Sequence, residues 1–339
     1  MRNLSMDALC EKIGNAVSKQ AISKYEKGES LPGSQILILL SQALDVKPDY
    51  FFRESQFAIS NIEFRKKAKM GVKEVEAIKE EIRDIIERYL EIEDVWGCVP
   101  SFANPVKEML VASEDDVYEV VKKLKDAWNI GEDGILSVTD LLESKNIKVV
   151  EIKADSSFDG LSGYVNNDEN MPFVVVNKSF DVERLRFTGL HELGHLVMNL
   201  PEEMEKKDKE RLCNLFASEM LISRDTFVDV LGERRSDISL QELKVLQAVY
   251  GISVDALMFK AKTVGVISES KYTSFCIRKN KSLAFKDAVE RSSYRGVEES
   301  SRFDRLVYRA LASDMISCSK AAVLLNEPME EVKNKLELV

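Results

Sequence analysis

The sequence contains only two histidines, and both fall in one five-residue stretch, His191-Glu192-Leu193-Gly194-His195. Two imidazoles one helical turn apart, with a carboxylate beside the first, form the H-E-x-x-H pattern of metal-dependent hydrolysis. At about 100° per residue the two rings lie about 40° apart on a helix. Leu190, Leu193, Leu196, Val197 and Leu200 gather on the opposite side. Such a helix anchors its apolar stripe in a core and turns its imidazoles toward a cleft. Neutral imidazole suits Zn2+, and a catalytic zinc takes three protein ligands plus water. Another divalent ion such as Mn2+ is an alternative for the same donors. Glu192 then stands beside that water as general base. Gly194 costs a helix interior about 1 kcal/mol relative to Ala, which points to close approach of a substrate or a strand. The bland alternative is a helix that carries two ordinary histidines.

No histidine remains for a third ligand, so it must be acidic or a cysteine. Glu202, Glu203, Glu205, Asp208, Glu210, Cys213 and Glu219 are within reach along the chain. Residues 209–223 read as a helix on which Glu210, Asn214 and Ala217 share a face beside the small Cys213. Glu219 is nine residues on from Glu210, about 180° round the helix. Glu210 is therefore the expected ligand. Asn214, one turn later, is placed to orient a histidine from behind. Cys213 is a rival ligand or a small packing residue.

A chain of 339 residues predicts two or three domains. Its net charge of −10 argues against a protein that coats nucleic acid, while leaving room for a local DNA-binding module. Five scattered cysteines without CxxC spacing fit a reducing compartment rather than a disulfide framework. The polar N-terminus lacks a signal h-region, and no apolar run is long enough to span a membrane. A cytoplasmic protein is expected.

Residues 4–52 read as short helices: Ser18 caps 19–26, closed by Gly28, and Ser34 caps an apolar helix. The run Ser18-Lys19-Gln20-Ala21-Ile22-Ser23-Lys24-Tyr25-Glu26-Lys27-Gly28, followed by Leu31-Pro32, Ile36 to Leu44 and Tyr50-Phe51-Phe52, resembles the XRE-type helix-turn-helix family. The resemblance implies a DNA-binding domain whose second helix lies in the major groove. By position, Ser18, Lys19, Gln20 and Ser23 would face bases, and Lys24 and Lys27 phosphates. The family normally has a full first helix before the stretch Leu4 to Gly14, where only Met1-Arg2-Asn3 stand here, so the start reads as truncated or mis-assigned. Residues 1–53 hold seven basic and six acidic side chains, a thin electrostatic footprint. The alternative for the same residues is a module for dimerisation or protein contact, and a homodimer is one partner left open.

Beyond a basic run, Arg65-Lys66-Lys67-Ala68-Lys69, Val75, Ile78, Ile82, Ile85, Tyr89 and Ile92 recur at helical spacing. Residues 114–128 and 137–143 read as helices, and 147–152 as a strand. Residues 161–165 and 173–176 bracket a turn and predict a hairpin. The result is a small, partly antiparallel sheet just before the histidines, with an edge that could align an extended peptide. The last segment, 276–339, reads as a small helical module without chemistry.

Phe158-Asp159-Gly160-Leu161-Ser162-Gly163, Val176-Asn177, Arg186-Phe187-Thr188, the histidine motif and Glu210-x-x-Cys213-Asn214-x-Phe216-Ala217 together look like the ImmA/IrrE family of metallo-endopeptidases. That family often carries an XRE-type unit on the same chain. The resemblance implies regulators of phage, mobile-element or stress circuits, some of which cleave a repressor. It covers roughly residues 1–275. Cys213 stands where the family usually has Ala, and Ile222-Ser223 where Met-Pro is usual.

The expected architecture is α+β and mostly helical. A helix-turn-helix domain (1–55) and a linker with a long helix (56–100) precede a zincin-like metallopeptidase domain (101–275) and a helical module (276–339). The expected function is zinc-dependent cleavage of a repressor- or antitoxin-like protein, with Glu192 as base. Tyr164, Arg184, Arg186 or backbone N–H groups would stabilise the oxyanion, Tyr164 being the choice. The alternative is a DNA-binding regulator or interaction protein whose metal site is structural or sensory.

Overall fold

The computed structural model describes residues 4–44, 46, 48, 51, 71–97, 101–165, 168 and 170–336. The basic run at 65–69, Tyr50, Phe52 and part of the expected hairpin turn lie outside the described residues. Among the described residues no helix is long and apolar enough to cross a membrane.

The N-terminal unit comprises α1 (Met6–Lys12), α2 (Lys19–Glu26) and α3 (Ser34–Leu44). Ser5 and Ser18 cap the first two helices, each hydroxyl accepting a backbone N–H three residues on. Between them Gly14 and Asn15 both adopt left-handed backbone, φ +67° and +54°, which turns the chain sharply. Leu9, Cys10, Ile13, Ile22, Leu40 and Ala43 close a small core.

The main body is built on a three-stranded sheet. Strands β1 (Lys148–Ile152), β2 (Gly160–Tyr164) and β3 (Pro172–Asn177) lie in the order β1-β3-β2. β1 runs parallel to β3, and β2 antiparallel to it with Leu161 opposite Val175, as the hairpin pattern predicts. Side chains alternate across the pleat. Val150, Ile152, Phe173 and Val175 face α4 (Val72–Val95), which presents Ile78, Ile82, Ile86 and Leu90. Val149, Val174 and Val176 face the other way, into the main core with Leu190 and Leu193. The long helix expected as part of a linker thus covers one face of the sheet.

A helical body lies on the other side: α5 (Glu114–Trp128), α6 (Val138–Ser144), α7 (Val182–Val197), α8 (Lys206–Leu221), α9 (Arg224–Leu231), α10 (Leu240–Tyr250), α11 (Val254–Thr263), α12 (Glu269–Lys281) and α13 (Leu283–Glu290). Of these α6 and α7 pack on the strands, and the rest join them in one core. The boundary expected at 275 falls inside α12, and Phe275 and Val289 belong to the main core. The basic segment around 278–286 is therefore helical, and this part of the chain is continuous with the body.

Residues 292–301 carry no regular structure but are firmly held. Glu298 pairs with the fully buried Arg186 of α7 and accepts the first backbone N–H groups of α6, from Val138 and Thr139. The remaining helices, α14 (Arg302–Ala312), α15 (Cys318–Leu324) and α16 (Met329–Lys335), close a core of their own against Ile92, Val95 and Trp96 of α4. This unit repeats the packing of α1–α2. Ser317 caps α15, Ala321 and Ala322 are buried four and five residues on, and Asn326, nine on, is left-handed at φ +54°. Ser5, Leu9, Cys10 and Gly14 occupy the same offsets. Val332 on α16 and Ile22 on α2 are each the one buried residue of their helix. The surfaces differ: α16 opens with Glu330 and Glu331, where α2 opens with Lys19 and Gln20.

Glu93 of α4 ties these layers together. It lies 3.0 Å from Lys148 of β1 and 3.3 Å from Arg302 of α14, and both Glu93 and Lys148 are almost fully buried. Burial pulls the Lys148 ammonium below its ordinary pKa, against the Glu93 charge that raises it. Removing one partner of a buried pair leaves the other charge uncompensated. Glu93→Leu is expected to lower unfolding free energy by about 3–5 kcal/mol in urea titrations, and Lys148→Met added to it should recover part of that loss.

Candidate metal centre

The site lies where α7 crosses α8. α7 buries Leu190, Leu193, Leu196 and Val197 and leaves His191 and His195 on its other side. Gly194 is explained by α8. A Cβ there would meet the Phe216 ring at 3.1 and 3.3 Å, so the missing side chain admits the neighbouring helix rather than a substrate or a strand. Gly160 plays the matching part on β2, where a Cβ would run into Val175 O and Thr188 Cγ2, both at 2.6 Å.

That approach brings three donors together. The Nε2 atoms of His191 and His195 are 3.1 Å apart, and Glu210 Oε2 is 3.3 Å from His191 Nε2. One ligand atom from each of the three lies within 4.8 Å of the others. Two imidazole nitrogens and a carboxylate oxygen are a donor set that suits Zn2+. Both Nδ1 atoms are engaged from behind: His191 Nδ1 lies 2.9 Å from Asn214 Oδ1, and His195 Nδ1 lies 3.1 Å from Cys213 Sγ. Each ring is therefore held so that its Nε2 faces its neighbour and Glu210. Asn214 lies behind His191, one turn beyond Glu210 on α8. Cys213, weighed as a rival ligand, lies behind His195. Glu219 points away, into a buried pair with Lys260, and accepts the Arg224 backbone N–H.

Glu192 is nearly buried and accepts a hydrogen bond from Ser162 Oγ at 2.8 Å. The sequence gives Ser162 no role of its own beyond its place in the run 158–163, because only the packing of β2 against α7 brings it to Glu192. A cleft of 390 Å³ opens beside these groups, lined by His191, Glu192, Glu210, Asn214, Gly160, Phe187 and Lys206 among others. Of the side chains considered as oxyanion donors, Arg184 lines this cleft, where it pairs with Asp159 and stacks on Phe180 at 3.6 Å. Tyr164 donates its hydroxyl to Leu196 O at 3.0 Å. Arg186 points to the opposite side, toward Glu298 and the carbonyls of Ile135, Leu136 and Tyr250.

On α2, Gln20, Lys24 and Lys27 are exposed and Ser23 is half-buried. The Ser18 hydroxyl is occupied as the helix cap, and Lys19 pairs with Asp7 at 2.7 Å in an exposed contact.

Comparison with known proteins matches two separate stretches of the chain. Residues 1–51 match the helix-turn-helix family, and residues 142–262 match the IrrE N-terminal-like domain of peptidase family M78. The chain joins a helix-turn-helix DNA-binding domain to an IrrE-like, metallopeptidase-type domain. It is also 45% identical over 53 residues to an "Uncharacterized HTH-type transcriptional regulator" of Sinorhizobium fredii, over 16% of this chain and 36% of the relative. The chain thus spans about a third of the length of that curated relative. The IrrE-like match contains both histidines, Glu192, Ser162, Glu210, Cys213 and Asn214.

The geometry yields a direct test of ligand identity. After zinc loading and dialysis, His191→Ala, His195→Ala and Glu210→Ala should each retain well under one equivalent by elemental analysis. Glu219→Gln should retain the full equivalent while it stays folded, because that carboxylate lies outside the donor set.

Proposed function

We propose that this chain is a zinc-dependent endopeptidase and transcriptional regulator that cleaves a repressor- or antitoxin-like protein. His191, His195 and Glu210 would hold the metal through Nε2, Nε2 and a carboxylate oxygen. When bound there, zinc supplies Lewis acidity to the scissile carbonyl and lowers the pKa of the attacking water.

The observation that carries the reading is Glu192. A site that only stabilises a fold has no use for a nearly buried carboxylate beside the donor nitrogens, on the cleft wall. Glu192 takes the proton as water attacks the carbonyl carbon. It then gives that proton to the amide nitrogen as the C–N bond breaks. Ser162 fixes the carboxylate through one oxygen. β2 borders the sheet and its Gly160 lines the cleft, so an extended peptide can lie along it. With the Tyr164 hydroxyl on Leu196 O, Arg184 is the better-placed side chain to meet the oxyanion. The N-terminal domain would read DNA with Gln20 and Ser23 while Lys24 and Lys27 meet phosphates, which places the protein with the chromosome in the cytoplasm. Ser18 could add its O–H while it still caps α2, whereas Lys19 would have to leave Asp7 to contribute.

A second reading is a regulator whose metal is sensory, favoured by the helix-turn-helix match and by the name of the curated relative. Glu192→Gln separates the two. Incubated with the proteins encoded next to its gene, the zinc-loaded wild type should cleave one of them. Glu192→Gln should bind zinc equally and cleave about 10²–10⁴-fold more slowly. Equal loading with no cleavage of any neighbour by either protein would favour the sensory reading. For the DNA site, Lys24→Glu and Lys27→Glu should each weaken operator binding, and the log–log salt slope should fall by about one per contact removed.

A further inference from the structure

We infer that Cys213 is a positioning residue of the metal centre, holding the imidazole of His195 as Asn214 holds that of His191. The inference rests on the metal-site reading above and adds a role for a thiol that the reading does not use. Cys213 and Asn214 are consecutive on α8, and His191 and His195 are one turn apart on α7. Each member of the first pair meets one member of the second, at 3.1 Å and 2.9 Å. Glu210 lies one turn before them on the same helix. α8 thus supplies one ligand and both orienting contacts, and α7 supplies both imidazoles.

The chemistry is that of tautomer control. An amide oxygen only accepts, so Asn214 Oδ1 requires the proton on His191 Nδ1 and leaves the ring lone pair on Nε2. His195 needs the same tautomer to offer Nε2. The sulfur behind its Nδ1 accepts that N–H, and the thiol sits in a fully buried position where a weak acceptor counts for more than in water. Sγ contacts the far side of the ring from Nε2, so in this arrangement it is not a ligand itself. A purely packing role would depend on the size of residue 213. An orienting role depends on whether that residue can accept a hydrogen bond.

Zinc affinity of the full chain, measured by competition with a chromogenic chelator, distinguishes these roles. Cys213→Ala and the more nearly isosteric Cys213→Val should each bind zinc about tenfold more weakly, the lower end expected for loss of an outer partner of a ligand. Cys213→Ser keeps an acceptor and should stay near the wild type. Circular dichroism and thermal melts identify any variant that has failed to fold. A second readout is long-range 1H–15N NMR of the zinc-loaded protein, which is simple to assign because the chain has two histidines. Both rings should show protonated Nδ1 in the wild type, and the His195 Nδ1 proton should exchange faster in Cys213→Ala. Wild-type affinity in both Ala and Val variants would overturn the inference, as would a Ser variant as weak as Ala. A wild-type chain that binds no zinc would instead overturn the metal-site reading on which it rests.

Discussion

The contact between Gly194 and Phe216 governs the rest of the site. The donors are split between two helices, so their separation is the interhelical distance. A glycine on α7 facing an aromatic ring on α8 lets the backbones approach until Glu210 lies 3.3 Å from His191 Nε2. A larger residue at 194 would push α8 away and carry Glu210, Cys213 and Asn214 with it. The helix-propensity cost of glycine is about 1 kcal/mol, and it is offset by close packing between two otherwise well-anchored helices. β2 obeys the same constraint from the other side: Gly160 brings that strand close enough to α7 for Ser162 to reach Glu192.

The frame around this contact is stiffened by charges buried in pairs. Arg186, one turn before the histidines on α7, is fully buried and is held by Glu298, by three backbone carbonyls and by the Tyr294 hydroxyl at 2.8 Å. Glu298 also satisfies the N-terminal amides of α6. The irregular segment 292–301 thus serves as a strap that fastens α7, the helix that carries both histidines, to the C-terminal unit. Where the strap ends, Glu93 joins α4, β1 and α14 through Lys148 and Arg302. Buried pairs of this kind add little net stability but penalise alternative arrangements in which one partner is left alone.

How far the sequence could reach depended on how local each signal was. The His191–His195 spacing, the cap at Ser18, the β2–β3 hairpin and the helix face that carries Glu210 all rest on periodicity within one or two elements. In the structure Ser18 caps α2, β2 pairs antiparallel with β3, and His191, His195 and Glu210 bring ligand atoms within 4.8 Å of one another. What escaped was non-local. The Ser162–Glu192 bond depends on strand register, and the Arg186–Glu298 pair joins residues 112 apart along the chain. The helix α12 was missed because its sequence is polar and buries little beyond Phe275, so no stripe announces it. Tyr164 has the right chemistry for an oxyanion donor, but only the fold reveals that its hydroxyl is directed at Leu196 O.

The central claim is that α7 and α8 together form one three-ligand metal site with Glu192 beside it. Anomalous diffraction at the zinc edge from crystals of the zinc-loaded protein tests it most directly. The account predicts one peak within about 2.0–2.2 Å of His191 Nε2, His195 Nε2 and a Glu210 oxygen, with Glu192 outside the ligand shell. Zinc on Cys213 Sγ or on either Nδ1, or no peak between the two helices, would contradict it.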